Sequence, residues 1–154
     1  MVQNGQGRKC MNDNIINYKC FIDTNLIIYA CDESDLEKQN ASINFLNEVH
    51  FKAKPVISTQ TLGEFFNVAF RKLNFTKEDA ILEVQRLANS FPVYEISTEN
   101  VLHAMKISKE TQYSYWDSLI IAMAIDTGCS VLYSEDLING QEIEGLKIIN
   151  PFTA

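Results

Sequence analysis

The sequence predicts an α/β protein, a three-layer α/β/α sandwich around a central, mainly parallel five-stranded sheet. Its apolar runs are short and do not alternate, the pattern of strands buried on both faces. Stretches of helical periodicity separate nearly all of them, which implies right-handed crossovers between parallel strands. The length of 154 residues suits one domain and buries enough surface for a core without staples.

Residues 1–17 are polar and Gly/Asn-rich without periodicity, and read as a disordered leader or a cloning remnant; Met11 inside them is a candidate natural start. Residues 18–154 read as the single domain. The run 18–22 is a strand, stopped by Asp23-Thr24-Asn25 as a turn or helix cap. A short helix over 26–30 is interrupted by the acidic segment 32–35, and residues 37–49 resume helical spacing with Ala41, Phe45, Leu46 and Val49 on one face. Residues 54–57 form a second strand, with Pro55 near its start, where a missing N–H is tolerable. The helix over 58–73 follows from the stripe Leu62, Phe65, Phe66, Ala69 and Leu73. Thr76 with Asp79 opens the next helix, through about Ala88. Residues 91–96 make a third strand, and Ser97 or Thr98 caps a helix over 99–112. Trp116-Asp117 opens an apolar helix over 118–127 that Gly128 ends. Residues 130–133 and 146–149 are the fourth and fifth strands, joined by a polar loop over 134–145.

Composition narrows the function. Lys and Arg number 13 against 20 Asp and Glu, a formal charge of −7, which argues against a broad basic nucleic-acid surface. A small catalytic contact stays open if metal ions supply the positive charge. No apolar run approaches the ~18 residues of a membrane span. Polar residues follow the Arg8-Lys9 pair, so it starts no secretory signal, and a cytoplasmic location is expected. Cys10, Cys20, Cys31 and Cys129 form no C-x-x-C pair and have no zinc-like spacing. His50 and His103 are isolated, each read as a surface or boundary residue, so a Ser-His-Asp or Cys-His centre has little to work with.

The chemistry sits where strands end. In an open parallel sheet, ligands bind outside the carboxyl ends of the strands, near a reversal of strand order. Asp23 follows the first strand and Asp136 lies just past the fourth, while Glu64 and Asp117 fall early in helices that start on the same rim. Each has an ordinary alternative. Asp23 could form an Asx-turn or a cap, and Asp117 could be an N-cap. Glu64 could complete a capping box with Thr61, and Asp136 could be a turn residue. Four acids on one rim nevertheless repel unless a cation offsets them. Oxygen donors without His or Cys point to Mg²⁺ or Mn²⁺.

The local contexts of these acids carry a resemblance. The run Phe21-Ile22-Asp23-Thr24-Asn25-Leu26 resembles the opening motif of the PIN-domain nucleases, including the VapC-like ribonuclease toxins of bacterial toxin–antitoxin pairs. Glu64 in Thr61-Leu62-Gly63-Glu64-Phe65 is similar to the second acid of that family, and Asp117 in Tyr115-Trp116-Asp117-Ser118 to its third. Asp136 in Leu132-Tyr133-Ser134-Glu135-Asp136 is similar to its fourth, with Ser134 at the place of a helper hydroxyl. The closing Ile149-Asn150-Pro151-Phe152 also resembles bacterial members.

The resemblance implies metal-dependent hydrolysis of RNA phosphodiesters. Asp23 and Asp117 would be the principal ligands, Glu64 and Asp136 would complete the site, and Asn25 and Ser134 would orient carboxylates or water. Arg71 and Lys72 are weaker candidates for phosphate contacts, against the reading of a solvated helix end. The resemblance further implies a cognate antitoxin protein and a homodimer, with exposed apolar residues of the helices after the first two strands as candidate surfaces. Rival readings are an idle nucleic-acid or protein-binding module of the same fold and a phosphatase of small substrates. A phosphoacceptor signalling domain fits less well, because its chemistry wants a Lys at the end of a late strand and Lys147 begins one.

Overall fold

A computed structural model of the protein describes residues 17–153. All of the expected leader except Asn17, with Cys10 and Met11, therefore lies outside the described residues. The elements run β1 (Tyr18–Ile22), α1 (Thr24–Ala30), α2 (Leu36–Lys52), β2 (Ala53–Ser58), α3 (Thr59–Lys72) and α4 (Lys77–Ser90). They continue with β3 (Val93–Tyr94), α5 (Thr98–Glu110), α6 (Tyr115–Asp126), β4 (Val131–Tyr133), β5 (Glu142–Ile143) and β6 (Leu146–Ile149).

The sheet order is β3-β2-β1-β4-β6-β5. Strand β1 pairs in parallel with β2 on one side and β4 on the other, and the order reverses between β1 and β4. Side-chain alternation along β1 and β2 sorts the core into two layers. Phe21 and Val56 pack with Ile107, Leu119, Ile121 and Met123 of α5 and α6. Cys20, Ile22 and Ile57 pack on the opposite face with Leu26, Phe65, Ala69, Ala80 and Leu87 from α1, α3 and α4. Both faces are covered, which explains why the strands read as unbroken apolar runs.

Two expectations need correction. The sheet has six strands rather than five, because part of the expected loop pairs antiparallel with β6 as β5. Glu144 and Gly145, at φ 49° and 84°, form the two-residue turn between them. A two-residue strand containing Glu142 has no periodicity to betray it. The third strand is shorter than expected, Val93–Tyr94 only, lying at the sheet edge beyond β2. Pro92, which has no N–H to give, contributes only its carbonyl, accepting from the Ile57 N–H at 3.1 Å.

Candidate active site

Four acidic residues line one cavity at the crevice between β1 and β4. The Asp23 N–H donates to the Tyr133 carbonyl at 3.0 Å, and the Ser134 N–H to the Ile149 carbonyl at 3.0 Å. The carboxyl ends of β1, β4 and β6 are thereby fixed together. The Ser134 hydroxyl, fully buried, donates to Asp23 Oδ2 at 2.7 Å and accepts the Asp136 N–H at 3.2 Å. One serine therefore holds both the first acid and the backbone of the fourth.

The capping readings of Asp23, Asp117 and Glu64 do not hold. Asp23 occupies the cap position of α1 but its side chain makes no cap hydrogen bond. Asp117 does not cap α6: Ser114 does, accepting the Asp117 N–H on its hydroxyl at 3.2 Å, and the helix begins at Tyr115. Thr61 accepts the Ser58 N–H at 3.3 Å, leaving Glu64 outside any capping box. Glu64 instead accepts from Thr24 Oγ1 at 2.7 Å and from Gln60 Nε2 at 2.7 Å. The Asn25 amide donates to Asp136.

Asp23, Glu64, Asp117 and Asp136 line a cavity of about 270 Å³ with Asn25, Asn67 and Ile120, and no Lys, Arg or His is among its lining residues. Asp23 is only 5% exposed. Burial pushes its carboxyl up to about 6, and the charges of Asp136 and Glu64 add to this against the Ser134 and Thr24 hydrogen bonds. The Asp136 carboxyl is also raised, by desolvation first and then by Glu135 and Asp117, with Lys38 pulling it down. Among the described residues, no three Asp, Glu, His or Cys side chains meet around a single point as an ion would require. The acids line a shared cavity, with carboxylates turned toward protein donors. The donor chemistry still fits a hard divalent cation: all oxygen, with a buried carboxylate that no basic side chain pairs.

The weaker candidates separate. A cavity of about 380 Å³ shares Asn25, Ile28 and Val68 with the acidic one and reaches Lys72. Arg71 is exposed and lines neither. Thr24, Gln60, Asn67 and Lys38 escaped the sequence reading. Gln60 was recoverable, being four residues before Glu64 on one helix face. Lys38 was not: it comes close only by pairing with Glu135 at 2.5 Å, across 97 positions of chain.

The PIN domain profile matches residues 20–138, a span that contains all four acids. The chain belongs to the PIN-domain family. Solved structures with the same fold include VapBC2 from Rickettsia felis bound to a DNA fragment from its promoter, at TM-score 0.64 and 18% identity over 84% of this chain and 96% of that one. A toxin–antitoxin complex from Klebsiella pneumoniae matches at TM-score 0.66 and 17% identity, over 88% and 99%. VapC20 from Mycobacterium tuberculosis, described as a sarcin–ricin-loop-cleaving toxin, matches at 0.61 and 18%, over 76% and 89%. At these identities the similarity of this PIN domain to them is one of fold. No curated protein matches the chain by sequence.

Proposed function

We propose that the protein is a divalent-metal-dependent endoribonuclease, the toxin of a toxin–antitoxin pair. The observation that carries this reading is the convergence of Asp23, Glu64, Asp117 and Asp136 on one cavity whose lining holds no cation. Membership of the PIN family and the toxins among its structural neighbours support it. Asp23, Glu64, Asp117 and Asp136 would hold Mg²⁺ or Mn²⁺, which when bound supplies the charge that offsets carboxylates and phosphate and polarises the attacking water.

The remaining work falls to the protein. Ser134 keeps the Asp23 carboxylate in one orientation, Thr24 and Gln60 do the same for Glu64, and Asn25 for Asp136. Such positioning is worth 10- to 100-fold in comparable sites, about the order expected here. Lys72 lines the adjoining groove and Arg71 does not, which favours Lys72 over Arg71 as the phosphate contact. An antitoxin protein and a second copy of the chain are the partners this reading carries. Leu36, Ile43 and Phe51 of α2, respectively 64%, 39% and 86% exposed, are the apolar surface available to them after β1.

RNA cleavage by the full chain should require Mg²⁺ or Mn²⁺, stop with excess chelator, and fall at least ~10²-fold in Asp23→Asn. Undiminished cleavage in chelator would remove the metal mechanism. The idle-module reading draws on the carboxylates lining the cavity rather than meeting at one point. It expects RNA or protein binding with no cleavage under any metal.

A further inference from the structure

We propose that Trp116 is the residue on which a nucleobase of the substrate stacks, setting the position of the strand over the acidic cavity. The inference rests on the nuclease reading above. Trp116 is the only tryptophan of the chain and is 63% exposed, unusual for the largest apolar side chain. It directly precedes Asp117, which lines the cavity, in the first turn of α6.

Its place is fixed from both sides. The Tyr115 ring, packed against the core, meets the Trp116 ring edge-on at 5.0 Å between centroids and 68° between planes. Gln60 Nε2, which donates to Glu64, also donates to the Trp116 carbonyl at 3.3 Å. The Trp116 backbone is therefore tied to Glu64 through one amide, while the indole is set by the Tyr115 ring.

Electrostatics gives the stack its purpose. With a formal charge of −7 and no basic residue lining the acidic cavity, the protein offers a polyanion little attraction beyond what bound metal supplies. An aromatic face attracts any unpaired base without regard to charge, typically by 1–3 kcal/mol per base, or about 5- to 150-fold in affinity. A base must leave its helix to reach such a face, so Trp116 would select unpaired nucleotides next to the bond that is cut. Other exposed apolar side chains, such as Phe51 on α2, Leu82 on α4 and Leu102 on α5, stand on elements that do not line the cavity, and suit protein partners better.

A single tryptophan makes the test direct. Asp136→Asn full chain, in Mn²⁺, is titrated with a single-stranded RNA oligonucleotide of mixed sequence while tryptophan emission is recorded. Emission should fall saturably, and a blunt duplex of the same sequence should act at least ~10-fold more weakly. In parallel, Trp116→Ala should raise the KM for RNA cleavage by about 5- to 150-fold with kcat changed less than ~3-fold, and Trp116→Phe should restore most of the loss. An exposed side chain that served structure alone would not produce that split. Cleavage without quenching, or a wild-type KM in Trp116→Ala, would overturn the stacking role and leave the nuclease reading standing. Quenching without cleavage by wild type would do the reverse. If neither occurs both fail, and the exposed indole belongs to a protein interface instead.

Discussion

Ser134 concentrates more of the site into one hydroxyl than any of the acids does. Removing it in Ser134→Ala leaves Asp23 without its side-chain donor, so the carboxyl should rise further above about 6. RNA cleavage should fall about 10- to 100-fold, with the acid limb of its pH profile moved upward. A profile and rate like those of wild type would assign Ser134 to the fold alone. Asp23 itself makes a prediction about stability. Its folded pKa of about 6 lies above the ordinary value near 4, so the folded state holds the proton longer. The stabilisation is fully present below the unfolded pKa and is lost as pH rises from about 4 through about 6. Metal-free protein at pH 7 thus carries a buried, unpaired charge. Asp23→Asn should melt higher than wild type in chelator, by up to about 3 kcal/mol in stability, and lower than wild type when Mn²⁺ saturates the latter. Equal melting under both conditions would show that no strain is stored there.

Helix α6 separates capping from chemistry. Ser114→Ala should cost about 1 kcal/mol, the usual worth of an N-cap. Asp117→Asn, three residues inside, should lose only a helix-dipole contribution of a few tenths to about 1 kcal/mol, while cleavage collapses. Urea unfolding of the two variants beside their cleavage rates makes the comparison. A larger stability loss in Asp117→Asn would return that acid to a structural role. The β5–β6 hairpin offers a second case. His103 on α5 bonds Asp126 of α6 through Nδ1 and Glu144 of the hairpin turn through Nε2, both at 2.7 Å. Partial burial disfavours the imidazolium, but the two carboxylates outweigh it and raise the pKa. This contribution is complete below about 6.5, the unfolded value, and lost as pH climbs through the higher folded one. Solvent screening keeps it to about 0.2–1 kcal/mol. His103→Gln should flatten the pH dependence of stability above neutrality without changing the Asp23 region; an unchanged slope would leave the bridge without weight.

Across the chain, what was legible in the sequence is what local periodicity and local context encode. Strands β1 and β6 match their apolar runs end to end, and the four acids stand in recognisable surroundings at strand or helix ends. The hairpin strand β5 was hidden because two residues cannot show a period. Lys38 was hidden because only the return of the chain after β4 brings Glu135 to α2. The capping assignments of Asp117 and Glu64 failed because hydroxyls three residues earlier, at Ser114 and Thr61, made those bonds first. Charge also acts across the molecule. In a chain of formal charge −7, Lys72 is the single basic side chain among the described residues that line the groove beside the acidic cavity, where Asp32 opposes it, so any phosphate contact there falls to Lys72. Lys72→Ala should raise the KM for RNA several-fold and weaken its salt dependence, whereas Arg71→Ala should leave both within about twofold. Equal effects would make the two a general positive patch.

Four acids drawn from distant parts of the chain are proposed to form one metal site, which can be tested without knowing which RNA is cut. The measurement is Mn²⁺ binding followed by the paramagnetic resonance of the free ion, on wild type, Glu64→Gln and Asp117→Asn. Wild type should remove Mn²⁺ from solution with saturable stoichiometry, and each substitution should weaken that binding by at least ~10-fold, because each takes an oxygen charge from the same ion. Binding unaffected by either substitution, or no binding by a folded wild-type protein, would contradict the claim.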